Sequence, residues 1–157
     1  MRFSSKQDVE APMKPIFQIL TDFETWETAA MRRGIEVERK DTLIQPGAGM
    51  RWAAKFSYRG KARAMELELT QLDPTQSLRF AAVSQALEGV ISMELIAQSP
   101  KRSRLHVVVD ITPRSLTARL FLQSLRLARA KLDRKFDQRI AMLAGDIELR
   151  YRSRSGA

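Results

Sequence analysis

VEAPMKPIFQILTDFETWE, residues 9–27, is where one kind of periodicity gives way to another. Upstream, Phe3, Ser5, Gln7 and Val9 alternate with Ser4, Lys6, Asp8 and Glu10, which is a strand with one wet face. Pro12 and Pro15 suit the approach and first turn of a helix. Ile16, Phe17, Ile19, Leu20 and Phe23 then follow at helical spacing. Thr21-Asp22 interrupts the run, and Trp26 to Arg33 reads as a second short helix with Gly34 as its stop.

After Gly34 the period returns to two and stays there. Strands are expected over Ile35–Leu43, Met50–Tyr58, Ala62–Leu72, Leu78–Ala86, Val90–Ala97 and Arg104–Thr112. The connections are short: Pro46-Gly47-Ala48-Gly49, Arg59-Gly60-Lys61, Asp73-Pro74, Leu87-Glu88-Gly89 and a basic turn containing Pro100. Such spacing favours meandering antiparallel hairpins. Pro113 ends the sheet and Ser115 is placed as a helix N-cap. One helix to Ile147, interrupted by no residue stronger than Gly145, would run about 50 Å.

The 44% hydrophobic and 29% charged content fits a soluble globular protein, and the 157 residues fit one core. The expected division is a single domain over residues 1–149 followed by a basic, disordered tail over 150–157. There is no apolar run long enough for a membrane span and no signal-like start, so a cytoplasmic location is expected. Zero cysteines remove disulfide and thiolate chemistry, and with a single histidine no metal site and no cofactor is expected. The formal charge is +9, and eleven basic against four acidic residues fall between Arg114 and Arg154. An anionic partner would meet that segment.

The order is strand, two short helices, six strands and a long helix. With VEAPMKPIFQILTDFETWE resembling a strand-Ala-Pro-helix-Asp-Phe-x-x-Trp opening, the chain resembles the START/Bet v 1-like (SRPBCC; polyketide cyclase/dehydrase and lipid transport) superfamily from Phe3 to about Leu149. A nuclear-transport-factor-2-like cone normally opens with helices and ranks behind it. The resemblance implies an α+β helix-grip fold: a curved antiparallel sheet of about seven strands, with the long C-terminal helix over an apolar cavity used for lipids, polyketides or hormones. The Pro-Trp-Cys stretch of ubiquinone-associated START relatives is absent.

Strand alternation nominates a lining for that cavity. Trp52, Phe56 and Tyr58 share one strand face, Met65, Leu67 and Leu69 the next. Leu78 and Phe80, then Ile91, Met93 and Leu95, then Leu105, Val107 and Val109 continue it, and Trp26 and Phe136 join from the helices. The competing reading is plain core, since alternating apolar residues bury one face of any such sheet.

On the last helix Phe121, Leu122, Leu125, Leu132, Phe136, Ile140, Leu143 and Ile147 form one stripe, with Arg129 inside it. A buried arginine needs a partner. The sheet's Glu66, Glu68, Glu94 and Asp110 point the other way, leaving Tyr58, Gln7, Ser84, Asp22, Glu24 or an anionic group on a ligand. The sharp expectation is that Arg129 holds a ligand carboxylate or phosphate. The bland one is that it snorkels to the rim or pairs with Asp22 or Glu24. His106 falls on the outer strand face with Arg104, Val108 and Asp110, and no catalytic motif appears, so catalytic residues stay unassigned.

Three functions compete. The first is a carrier of a small lipophilic molecule, with or without an acidic group. The second is a cyclase or dehydratase using the same cavity, with Tyr58 or a helix-pair carboxylate for acid-base work. The third is an interaction module docking through the basic final helix. Leu116, Leu120 and Leu127 make a second apolar strip suited to a loop or a dimer contact. The expected state is a monomer or weak homodimer, with a peripheral anionic membrane contact in reach. The absence of base-stacking aromatics argues against nucleic acid.

Overall fold

In a computed structural model, which describes residues 1–155, the elements run β1 (Arg2–Val9), α1 (Met13–Leu20), α2 (Phe23–Arg32), β2 (Glu36–Arg39) and β3 (Arg51–Tyr58). They continue with β4 (Lys61–Asp73), β5 (Ser77–Ser84), β6 (Leu87–Ser99), β7 (Arg102–Pro113), α3 (Leu116–Leu125) and α4 (Arg129–Ser155). All seven strands join one antiparallel sheet in the order β1-β7-β6-β5-β4-β3-β2. The last six form a meander, and β1 closes the far edge against β7. This is the helix-grip α+β architecture the sequence implied.

Local chemistry sets the boundaries. Gly34, at φ +86°, supplies the left-handed residue that ends α2. Its N–H bonds to Met31 O at 3.0 Å, and the Ile35 N–H reaches back to Ala30 O at 3.1 Å. Ser115 caps α3, its hydroxyl accepting from the Ala118 N–H at 3.0 Å. A bulge at Thr70 lets Leu69 and Leu72, three residues apart, both turn to the core.

Several boundaries differ from expectation. The hairpin turn expected at Leu87-Glu88-Gly89 falls at Gln85-Ala86 instead, and those three residues pair within β6. Where a strand was expected to run to Leu43, β2 stops at Arg39. The carboxylate of buried Asp41 takes over there, accepting from Arg39 Nε and Nη2 at 2.8 Å each, Arg51 N at 2.8 Å and Leu43 N at 3.0 Å. Those bonds, Arg39's first, outweigh burial and hold the carboxyl well below the usual carboxylate range. The single long helix is instead two, separated by one 3-10 turn at Arg126–Ala128. The expected tail is also helical as far as Ser155. Arg150 lies 4.2 Å over the Trp26 ring and Arg154 pairs with Asp22 at 3.5 Å, so residues of α2 and its cap stitch down the end of α4. Gly156 and Ala157, the rest of that expected tail, lie outside the described residues.

The core forms where α1, α2 and α4 meet one face of the sheet, around Val9, Ile16, Ile19, Leu69, Leu105, Val107 and Ile147. A fully buried leucine or isoleucine contributes roughly 1.5–3 kcal/mol. The helix α4 follows edge strand β1. Phe136 packs on Phe3 at 5.6 Å, Asp137 accepts from Ser5 Oγ at 2.6 Å and Gln7 Nε2 at 3.0 Å, and Glu148 accepts the Glu10 N–H at 2.8 Å. The grip is therefore on one margin of the sheet, not across its middle.

Candidate functional site

Register places the helix-facing side chains in rows across the strands. One row runs Leu72, Leu78, Met93, Val107 and Ser5, and the next toward α1 has Leu95, Leu105 and Gln7. Leu78, Val107, Leu95 and Leu105 there are sealed. The opposite direction leads to Leu69, Phe80, Ile91, Val109 and Phe3, then to Trp52, Leu67, Ala82, Gly89 and Ile111. In these rows Phe80, Ile91, Val109, Leu67, Ala82 and Ile111 stay only half-buried although they point between sheet and helices.

The reason is size and position. Ala82 and Gly89 are opposite each other on the middle strands, so the sheet surface dips there between Trp52 and Ile111. The half-buried apolar side chains around the dip outline a shallow groove on the sheet, running toward the β5–β6 hairpin. Its wall on the β3 side is an aromatic triad: Phe23 to Trp52 at 5.4 Å, Trp52 to Phe80 at 6.3 Å, and Phe23 edge-on to Phe80 at 6.5 Å. The Trp52 indole N–H is buried and has no hydrogen-bond partner among the described residues.

Most of the expected lining belongs to the sheet's helix-facing side. Trp52 and Val107 are buried in the core, and Leu67, Phe80, Met93 and Phe136 pack partly buried against it. Phe56 and Met65 are half-buried at the open end, outside the main core cluster. Trp26 is engaged structurally: its N–H donates to Ile19 O at 3.0 Å and its face carries Arg150. Tyr58 is exposed, with the Arg59 guanidinium 5.4 Å from its ring centre.

Arg129 departs furthest from its expected role. It is partly exposed and bonds Asp133 through Nε at 3.0 and 3.1 Å; it covers the Phe3 ring at 4.9 Å and donates to Arg2 O. Its partner is neither Asp22 nor Glu24. Apart from exposed Phe121 the stripe holds, with Leu122, Ile140 and Ile147 buried and Leu125, Leu132, Phe136 and Leu143 half-buried, but the course of α4 along β1 puts Arg129 at the outer margin of the sheet, the rim position of the bland expectation. A hollow of about 690 Å³ beside it, lined by the charged and polar residues Arg2, Ser4, Asp133, Arg134, Asp137 and Gln138, is open to solvent. His106 is on the outer face, 2.9 Å from Ser4 Oγ.

Phe23 and Ala82 were not singled out as site residues by sequence, and Gly89, read as part of a hairpin turn, is within β6 instead. Phe23 read as ordinary helix core, and small residues leave no hydropathy signal, although a glycine within a strand does mark thin surface. Among the described residues no cluster of three or more His, Asp or Glu side chains could hold a metal, and no helix is long and apolar enough to cross a membrane.

No family model and no curated protein matches the sequence. Solved structures do. The Zhui aromatase/cyclase from Streptomyces aligns over 100% of this chain and 99% of its own, with a TM-score of 0.69 at 15% identity. A protein from Thermus thermophilus aligns over 99% of both chains, at 0.68 and 16%. A START superfamily protein from Mycobacterium smegmatis aligns over 87% of this chain and 97% of its own, at 0.56 and 13%. The chain has the START/Bet v 1-like fold.

Proposed function

We propose that the protein binds a small lipophilic molecule in the groove between the sheet and α4. The observation that supports this is the half-buried apolar floor: Leu67, Phe80, Ile91 and Val109 around the dip at Ala82 and Gly89. Apolar side chains facing the inside of a fold normally seal against one another. A floor left open to this extent is apolar surface for a ligand to cover. The side chains around the dip, Leu67, Phe80, Ala82, Ile91, Val109 and Ile111, are all uncharged, and Arg129 at the sheet's margin offers no counter-charge there; an apolar ligand fits that floor better than an acidic one.

Binding is preferred to catalysis. The Zhui neighbour is a cyclase, but the likeness at 15% identity is one of fold. Tyr58, the tyrosine considered for acid-base work, stands exposed beside Arg59 rather than in the groove.

The test is native mass spectrometry of gently purified protein, paired with titration of the apolar fluorophore N-phenyl-1-naphthylamine. Ala82→Trp fills the dip over Gly89 and is expected to remove both the co-purified molecule and fluorophore binding while leaving the circular dichroism spectrum unchanged. Equal fluorophore binding by a folded Ala82→Trp variant would show that the groove is not the site.

A further inference from the structure

The helix α3 shows solvent a face that its packing does not explain. It rests on the fold through buried Ala118 and Leu122, and Leu125 and Arg129 continue the same side at intervals of three and four. Leu116, Leu120 and Leu127 stand 72%, 57% and 94% exposed. At about 100° per residue these three fall within roughly 40° of one another, almost opposite Ala118 and Leu122. Single exposed leucines are ordinary. Three in line along about 16 Å of helix form a stripe.

Charge singles out the same element. From Arg114 to Leu132 there are five basic residues and no acidic one. Along α4 three arginines are answered at intervals of four, Arg129 by Asp133, Arg150 by Asp146 and Arg152 by Glu148, while Arg134 and Arg139 have no ion pair among the described residues. Arg119 and Arg126, which flank the leucine stripe on one side, and Lys131 on the other, have no ion pair among the described residues. The helix is also held firmly. Beyond the Ser115 cap, Arg114 donates its N–H to Ala86 O at 2.8 Å and Nη1 to Ser84 O at 2.6 Å, and its Nε lies 3.4 Å from Glu88. Those bonds fix the start of α3 at the β5–β6 hairpin, beside the open end of the groove.

We propose that α3 and the 3-10 turn after it form a docking face for an anionic lipid surface. A second copy of the chain would bring two acid-free cationic faces together. A nucleic acid would satisfy the cations and leave the leucines in water. A membrane interface takes both: Leu116, Leu120 and Leu127 enter the boundary between headgroups and acyl chains, and Arg119, Arg126 and Lys131 reach the phosphates from the flanks. The helix lies flat on the surface, because Ala118 and Leu122 keep its other side on the fold. The docking face stands on its own whether or not the groove binds a ligand. If both operate, the groove opens next to the membrane.

The test is co-sedimentation of the full chain with vesicles of phosphatidylcholine alone or mixed with phosphatidylglycerol. The expected result is binding to the mixed vesicles only, weakening as salt rises. Leu120→Gln with Leu127→Gln is expected to weaken it at least about tenfold through lost apolar burial. Arg119→Gln with Arg126→Gln is expected to weaken it about thirtyfold. All four side chains are exposed, so the variants keep the wild-type circular dichroism spectrum.

The proposal is overturned by absence of binding to the mixed vesicles. It is equally overturned if the leucine pair has no effect while the arginine pair does, which is electrostatic adsorption alone. Self-association that the leucine pair abolishes, without vesicle binding, assigns the stripe to a second copy. Oligonucleotide binding tighter than vesicle binding and indifferent to the leucines assigns the cations to nucleic acid.

Discussion

Replacing each tryptophan by phenylalanine should have unequal consequences for stability, because only one indole N–H is satisfied. In Trp26→Phe the 3.0 Å bond to Ile19 O is lost, along with the better ring under Arg150. The hydrogen bond contributes about 1 kcal/mol net and the cation contact about 0.5 kcal/mol more, to which partial packing loss adds about 1 kcal/mol. The expected cost is about 2.5 kcal/mol. In Trp52→Phe the packing loss is larger, about 1.6 kcal/mol for two methylene equivalents in a fully buried site. Against it stands relief of a buried, unpartnered N–H, about 1–3 kcal/mol. The net change is expected within about 1 kcal/mol of zero. Urea unfolding followed by far-ultraviolet circular dichroism separates the two, since about 2 kcal/mol shifts the midpoint by roughly 1 M. A Trp52→Phe variant as destabilised as Trp26→Phe would refute the idea that the Trp52 N–H is a liability in the triad.

Three further outcomes are expected. Gly145→Ala places a methyl where nothing lies within 4 Å, inside α4, and should stabilise by about 1 kcal/mol, read as a higher thermal midpoint. Ser115→Ala removes the cap of α3 and should cost about 1 kcal/mol in urea unfolding. Asp41 has a folded pKa below its ordinary 3.8, so its contribution is complete above that value and is lost as pH falls below it. Asp41→Asn should therefore unfold with a shallower loss of stability on acidification than wild type; parallel pH profiles would show that the Arg39 and Arg51 bonds do not depend on the charge.

The parts of the fold that were legible in the sequence are those set by local period and punctuation. Alternation placed Trp52, Leu67 and Phe80 on one face, and Gly34 marked a left-handed stop that only its conformation explains. The parts that were not legible depend on distant partners. Asp41 ends β2 early by gathering the N–H of Arg51, which no propensity announces. The tail is helical because Arg150 and Arg154 find Trp26 and Asp22 across the fold. Arg129 is on the stripe the wheel drew, but its place at the rim rather than over a cavity depends on α4 following edge strand β1, which no local pattern shows; nor does the turn at Arg126–Ala128 contain a proline or glycine to signal it. Of the site, the large side chains were visible and the dip was not, since it consists of what Ala82 and Gly89 lack.

The pairing of β1 with β7 also constrains how the chain can be made. Strand β1 finds its sheet neighbour β7 about a hundred residues further along the chain, so during synthesis the contact cannot close until β7 has left the ribosome. Until then β1 is an unsatisfied ribbon, and for a shorter interval β7 presents a bare edge of its own. Docking of α4 along β1 comes later still. The sheet is thus sealed only once β7 arrives, and a nascent chain stalled before it would have every element of the groove floor except β7 itself, with both β1 and the floor left uncovered.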